Sequence, residues 1–185
     1  MSCVFEKAKC IIPLKDKVDN KFITKIGNSF LGRIKSIKII DLPNVVSIED
    51  NFLHFNYSLQ RINMPKLQII GYDFLSYNDS LTEISLPNVL EIGSDFLDGN
   101  GTLEKINLPN VRKIGNRFLF ENNSLKNLFL PNVIKIDDVF LGKNKNLEEL
   151  DLPNVVSIGY GFLRDNKNLK KINIPKIEKI GDNFL

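Results

Sequence analysis

The chain has 185 residues, 43% of them hydrophobic, with 25 basic and 22 acidic side chains and a formal net charge of +3. The charges are interspersed, so no block is present to grip phosphates or anionic lipid, and no apolar run approaches the roughly 18 residues that crossing a bilayer requires. A single domain is implied, with no Gly/Ser-rich or charged linker at which to divide it.

Residues 1–21 do not carry the pattern that governs the rest. Val4, Phe5, Ala8 and Ile11 have roughly helical spacing, and Pro13 would stop a helix there. This segment is predicted to be an N-terminal cap, since a solenoid needs its end faces shielded. Cys3 and Cys10 are too few for a disulfide framework or a four-ligand zinc site and read as packing residues or free thiols. Charges interrupt the apolar stretch of this leader, so it lacks a signal-peptide core. Taken as native it predicts a cytoplasmic protein; a trimmed fragment would instead come from a secreted or cell-surface one.

Residues 22–36 form a degenerate coil, recognisable by Ile23, Ile26, Gly27, Phe30 and Leu31. Six full coils of 22 residues then occupy 37–168, and an incomplete one occupies 169–185. Pro43, Pro65, Pro87, Pro109, Pro131, Pro153 and Pro175 keep this period, as do the phenylalanines from Phe30 through Phe96 to Phe184, each followed by leucine. A period in this range marks a solenoid. Ile84 and Leu86 alternate with outward residues as a one-sided strand requires, and Pro87, lacking an N–H, ends it. Gly93 suggests a turn at positive φ, with Asp137 a tolerable substitute and Glu49 a poorer one that predicts local adjustment. Ser94, Asn116, Asp50, Asp138 and Asp182 are helix-capping types, which places the Phe-Leu pair on a single helical or 3₁₀ turn.

The pattern Leu81-x-x-Ile84-x-Leu86-Pro87-Asn88-Val89-x-x-Ile92-Gly93-x-x-Phe96-Leu97-x-x-Asn100 resembles the BspA-like leucine-rich repeats. The resemblance covers roughly 22–185 without insertion. It implies a leucine-rich-repeat arc with a parallel β-sheet on the concave side and short turns or 3₁₀ segments on the convex side. It also implies protein binding and adhesion, often at the surface of bacteria or protists. Phe-Leu and Asn stand where members of that family commonly carry Ala-Phe and Cys.

Asn56, Asn78, Asn100, Asn122, Asn144 and Asn166 hold one position, where amides can bond turn backbone from coil to coil as a structural ladder. The first four also begin Asn-x-Ser/Thr sequons, but a ladder asparagine is buried and leaves no room for a glycan. Outward strand residues form three columns. The first runs Lys38, Gln60, Thr82, Glu104, Lys126, Glu148, Lys170 and the second Ile39, Arg61, Glu83, Lys105, Asn127, Glu149, Lys171, with charges that alternate as sheet neighbours prefer. The third, from Asp41 through Asn107 to Asp151 and Asn173, is small and polar except at Phe129, an exposed aromatic suited to anchor a contact. Arg61, Glu83, Lys105, Asn107, Lys126, Phe129, Glu149, Asp151 and Lys171 are therefore the candidate concave binding face. His54, Phe55, Tyr57, Tyr77 and Phe120 gather at coil ends, as packing or a second patch.

No catalytic, cofactor-binding or metal-ligating set emerges. His54 is the only histidine, so neither a two-histidine metal site nor a histidine relay can be assembled. Gly27 to Ile34 has two glycines at phosphate-loop spacing without the Lys-Ser/Thr that would follow. The reading is a recognition scaffold without cofactor or reaction, holding a protein or polymeric ligand on its concave sheet and binding no nucleic acid. The alternative is a structural solenoid that self-associates through its C-terminal end, where Phe184 and Leu185 stop in mid-coil, or a piece of a larger surface protein.

Overall fold

Two short apolar-polar alternations per coil give two short strands per coil. The computed structural model describes residues 16–184, and among these it contains sixteen strands and no helix. Val4 to Ile11, Pro13 and both cysteines lie outside the described residues. In successive coils the pairs are β1 (Lys17–Asp19) and β2 (Lys25–Ile26), β3 (Ile39–Asp41) and β4 (Ser47–Ile48), β5 (Arg61–Asn63) and β6 (Ile69–Ile70), and β7 (Glu83–Ser85) and β8 (Glu91–Ile92). They continue with β9 (Lys105–Asn107) and β10 (Lys113–Ile114), β11 (Asn127–Phe129) and β12 (Lys135–Ile136), β13 (Glu149–Asp151) and β14 (Ser157–Ile158), and β15 (Lys171–Asn173) and β16 (Lys179–Ile180). We number the coils 1 to 8 accordingly.

Every pairing is parallel and joins residues one period apart, as in Ile84 with Ile106. The eight second strands form one unbroken sheet, whereas the first strands fall into three ladders, β1-β3-β5, β7-β9 and β11-β13-β15. The repeat also starts earlier than its sequence pattern. Lys17–Asp19 pairs with Ile39–Asp41, so residues assigned to the cap already belong to coil 1, with Val18 the inward residue of β1.

The corner between first and second strands is a β-turn closed by Val89 N–H on the Leu86 carbonyl (3.4 Å). Proline suits the second position of such a turn because its φ is already set. The residue after it laces the coils together: Asn88, Asn110, Asn132 and Asn154 each donate Nδ2 to the carbonyl of the proline one coil earlier, at 2.6–2.8 Å. This second asparagine column went unread in the sequence, where Asn88 passes for ordinary turn chemistry.

The third wall departs furthest from expectation. The Phe-Leu segment is neither helical nor 3₁₀; Asp95, Leu97 and Gly99 have positive φ (58°, 54° and 69°), and the same alternation recurs in coils 1 to 7. Left-handed backbone costs a side-chain-bearing residue about 1–2 kcal/mol. Two gains offset it. Asp95 and Gly99 N–H donate forward to the Asn116 and Phe120 carbonyls (2.9 Å each) and Leu97 N–H donates back to Phe74 (2.9 Å), so the wall is a third coil-to-coil ladder. The alternation also turns Phe96 and Leu97 both inward, where burying two such side chains returns about 1.5–3 kcal/mol each. Three of the residues picked as helix caps cap the neighbouring coil instead: Asp50 Oδ1 accepts Tyr72 N–H, Asn116 Oδ1 accepts Asp138 N–H and Asp138 Oδ1 accepts Tyr160 N–H, at 2.9 Å each.

Gly93 is not at positive φ. A Cβ there would stand 2.5 Å from the Gly71 carbonyl oxygen, so close backbone approach selects glycine. Glu49 takes the equivalent place without disturbing the ladder, its N–H bonding the Ile26 carbonyl at 2.9 Å as Gly93 bonds Ile70. Between the walls, phenylalanine rings from Phe30 to Phe184 stack at 5.2–6.1 Å, flanked by columns of leucine, isoleucine and valine. Burial thins at coil 8, where Ile180 is 47% exposed against 2% for Ile158.

Candidate recognition face

The outward side of the first strands carries all nine candidate residues. Arg61 lies on β5, Glu83 on β7, Lys105 and Asn107 on β9, Phe129 on β11, Glu149 and Asp151 on β13 and Lys171 on β15, with Lys126 just before β11. All are exposed except Asp151, which is half-buried. Period-two alternation puts them outward, because the residue between each pair faces the core.

The three columns behave differently. In the first, Lys170 pairs with Glu148 at 2.7 Å, holding that carboxyl below its ordinary pKa, and Lys38 approaches Asp16 at 3.7 Å. In the third, Asn63 donates to Asp41, Asn107 to Ser85 and Asn173 to Asp151, at 2.8–2.9 Å. The second was expected to pair its alternating charges. Among the described residues, however, Arg61, Glu83, Lys105, Glu149 and Lys171 make no ion pair within 4 Å. Their charges face solvent unneutralised.

Two hollows follow this face. The larger, about 900 Å³, is lined by Lys105, Lys126, Asn127, Phe129, Glu149 and Lys171 among others; it spans the interruption between β9 and β11. The smaller, about 650 Å³, lies over Arg61, Glu83 and Asn107 and spans the interruption between β5 and β7. Phe129, 56% exposed, stands beside the first interruption with cations and carboxylates around it.

The asparagine ladder is internal. Asn122 is buried and donates Nδ2 to the Leu97 carbonyl (2.8 Å), and Asn78, Asn100, Asn144 and Asn166 do the same one register apart. The acceptor explains the residue: the left-handed leucine turns its carbonyl out of the backbone ladder, and only a side chain reaches it. Asn56 differs, donating to Ile37. The sequon hydroxyls are engaged too, Ser80 and Ser124 bonding the Tyr57 and Gly101 carbonyls at 2.6 Å each. A buried amide already committed to a carbonyl cannot accept a glycan in the folded chain.

The coil-end aromatics pack between coils. Phe55 and Tyr77 stack at 4.7 Å, Tyr77 lies against Gly99, and His54 lies against Gly32 with Nδ1 at 3.1 Å from the Asn51 carbonyl oxygen. Beside them Arg117 donates to Asp98 (2.6 Å) and Asp95 (2.8 Å) and covers the Phe120 ring. Burial raises the pKa of Asp98 against the pull of Arg117, and Asp98 in turn raises that of Tyr77. Sequence reasoning missed this cluster, since its partners sit 19 and 22 residues apart at positions that other coils fill differently. Among the described residues no group of three or more His, Cys, Asp or Glu side chains is placed to hold a metal ion, and no helix is long and apolar enough to cross a membrane.

Comparison with known proteins agrees with this architecture. A family model described as the BspA type leucine-rich repeat region, in six copies, matches residues 9–119 and 69–185. No curated protein and no solved structure matches the chain.

Proposed function

The chain belongs to the BspA-type leucine-rich repeat family, a repeat scaffold, and we propose that it is a non-catalytic recognition module holding a protein or polymeric ligand, in an adhesion-related role, on its first-strand face. The observation that carries this is Phe129 exposed in a hollow of about 900 Å³ beside Lys105, Glu149 and Lys171, which make no ion pair among the described residues. An aromatic anchor ringed by polar groups is where interfaces concentrate their energy, and unneutralised charges steer and select what docks. The carboxylates of that face, Glu83 and Glu149 exposed and Asp151 half-buried, lie on an open sheet rather than in the enclosed apolar pocket that acid-base work calls for.

The test compares affinity capture by the wild-type chain with capture by a chain carrying Phe129→Ala, Lys105→Glu and Glu149→Lys, both shown to fold. A partner held by the first, lost by the second and protecting the amides of β9 to β15 from hydrogen exchange supports the reading. The same partner held by both chains moves the working surface elsewhere.

A further inference from the structure

One asparagine of the buried ladder is followed by glycine. Asn100-Gly101 is the one Asn-Gly pair in the chain, and at the place of Gly101 the other coils carry Tyr57, Asp79, Asn123, Lys145 and Lys167. The fold does not call for glycine there. Gly101 is not at positive φ, unlike Gly99 at 69°, and beyond its chain neighbours a Cβ on it would meet nothing closer than Asp79 Oδ1 at 3.8 Å. What the missing Cβ changes is chemistry, because an unhindered backbone nitrogen attacks the side-chain amide carbon of a preceding asparagine far more readily than a hindered one. In the stack the groups that would react are held apart. Asn100 is wholly buried, and its Nδ2 donates to the carbonyls of Leu75 (2.9 Å) and Asp98 (3.3 Å). Its amide oxygen, unpartnered in Asn78, Asn122, Asn144 and Asn166, here accepts Asn78 N–H at 2.8 Å. Gly101 N–H in turn donates to Asp79 Oδ1 at 3.3 Å.

We propose that Asn100-Gly101 is a modification site gated by the fold, closed in the stacked chain and deamidated through a cyclic imide once coils 3 and 4 separate. In the open chain the Gly101 nitrogen bonds to Asn100 Cγ and gives up its proton, the Cγ–Nδ2 bond breaks, and that nitrogen leaves as ammonia. Water then adds to one of the imide carbonyls and opens the ring to aspartate or isoaspartate. No redox partner or cofactor enters. Neither product refills the ladder. A carboxylate has no N–H to offer the Leu75 and Asp98 carbonyls and sets an anion against two acceptors in a buried place. Isoaspartate also runs the main chain through the side-chain carbon, which lengthens a coil whose strands pair residue for residue with the next. An opening that lasts long enough to react is therefore not reversed. The site turns transient separation of two coils into permanent loss of the stack, and so limits the working lifetime of the scaffold.

The full chain, held in mildly alkaline buffer with and without denaturant and then digested for mass spectrometry, tests this. Deamidation at residue 100 should run at least about tenfold faster in the unfolded chain, since a core amide of the stack reacts only through a rarely populated open state. Chains deamidated in denaturant should stay unfolded when it is removed, whereas chains unfolded only briefly should refold. Gly101→Ala should leave the unreacted chain folded as before, slow the reaction in denaturant and preserve refolding over the same interval. Deamidation as fast in the folded chain as in the unfolded one, refolding of the deamidated chain to an unchanged midpoint, or a Gly101→Ala chain that loses refolding at the wild-type rate would each overturn the proposal.

Discussion

Phe96 and Phe129 are the same residue on two walls of one stack, the first wholly buried and the second 56% exposed. Phe96 belongs to a column in which every coil supplies phenylalanine, and its ring lies 5.3–5.5 Å from those of Phe74 and Phe118 on either side. Phe129 belongs to a column otherwise filled by Asp, Asn and Ser. The difference teaches where a solenoid tolerates variation. A buried column must match its neighbours above and below, so one residue type propagates; an outward column meets solvent and is free to differ at each coil. Identity between coils marks the scaffold, and departure from it marks the surface that can be specific.

The largest test of that contrast is Phe96→Ala, which should cost about 3–5 kcal/mol through a cavity between two retained rings. Chemical denaturation reads this directly, and an unchanged midpoint would place Phe96 outside the core. Asn122→Ala comes next, at about 1–3 kcal/mol, because it strands the Leu97 carbonyl in a buried place. Asn122→Ser should recover little, since the shorter side chain does not reach.

A smaller effect concerns Asp98. Burial raises its pKa in the folded chain, so the folded state binds that proton more firmly than the unfolded state. Its contribution is therefore most favourable below the unfolded value and declines as pH rises through the raised folded value. The stability of wild type relative to Asp98→Asn should fall across that window in denaturation at several pH values. The opposite slope would mean that Arg117 outweighs burial. Smallest of all is Phe129→Ala on stability, within about 0.5 kcal/mol, as for other exposed sites. Paired with loss of a captured partner, that near-zero change would separate recognition from folding.

Much of the scaffold was legible because stacking forces repetition. The proline and phenylalanine intervals located the first strand of each coil, the core columns and the outward candidates, and Phe129 stood out as the one apolar residue in a polar column; the second strand of each coil, two residues long, went unread. Less legible was anything a residue does with a neighbour one period away. Asn88 reads locally as a turn residue, yet its bond is to Pro65. Gly93 reads as a left-handed turn, yet its constraint is the Gly71 backbone. The unpaired second column was hidden for the same reason: opposite charges at matching positions show adjacency, while rotamers and competing partners decide pairing.

By itself the sequence determined the coil length, the parallel one-period register and the division into inward and outward positions, because a 22-residue period with seven apolar places can bury them only by stacking. The three-dimensional stack decided the rest. The alternating hand of the Phe-Leu wall and the interruption beside Phe129 both depend on which groups meet across coils. Local propensity favours a right-handed backbone for leucine, and only the coil-to-coil hydrogen bonds and burial of the assembled stack are large enough to override it.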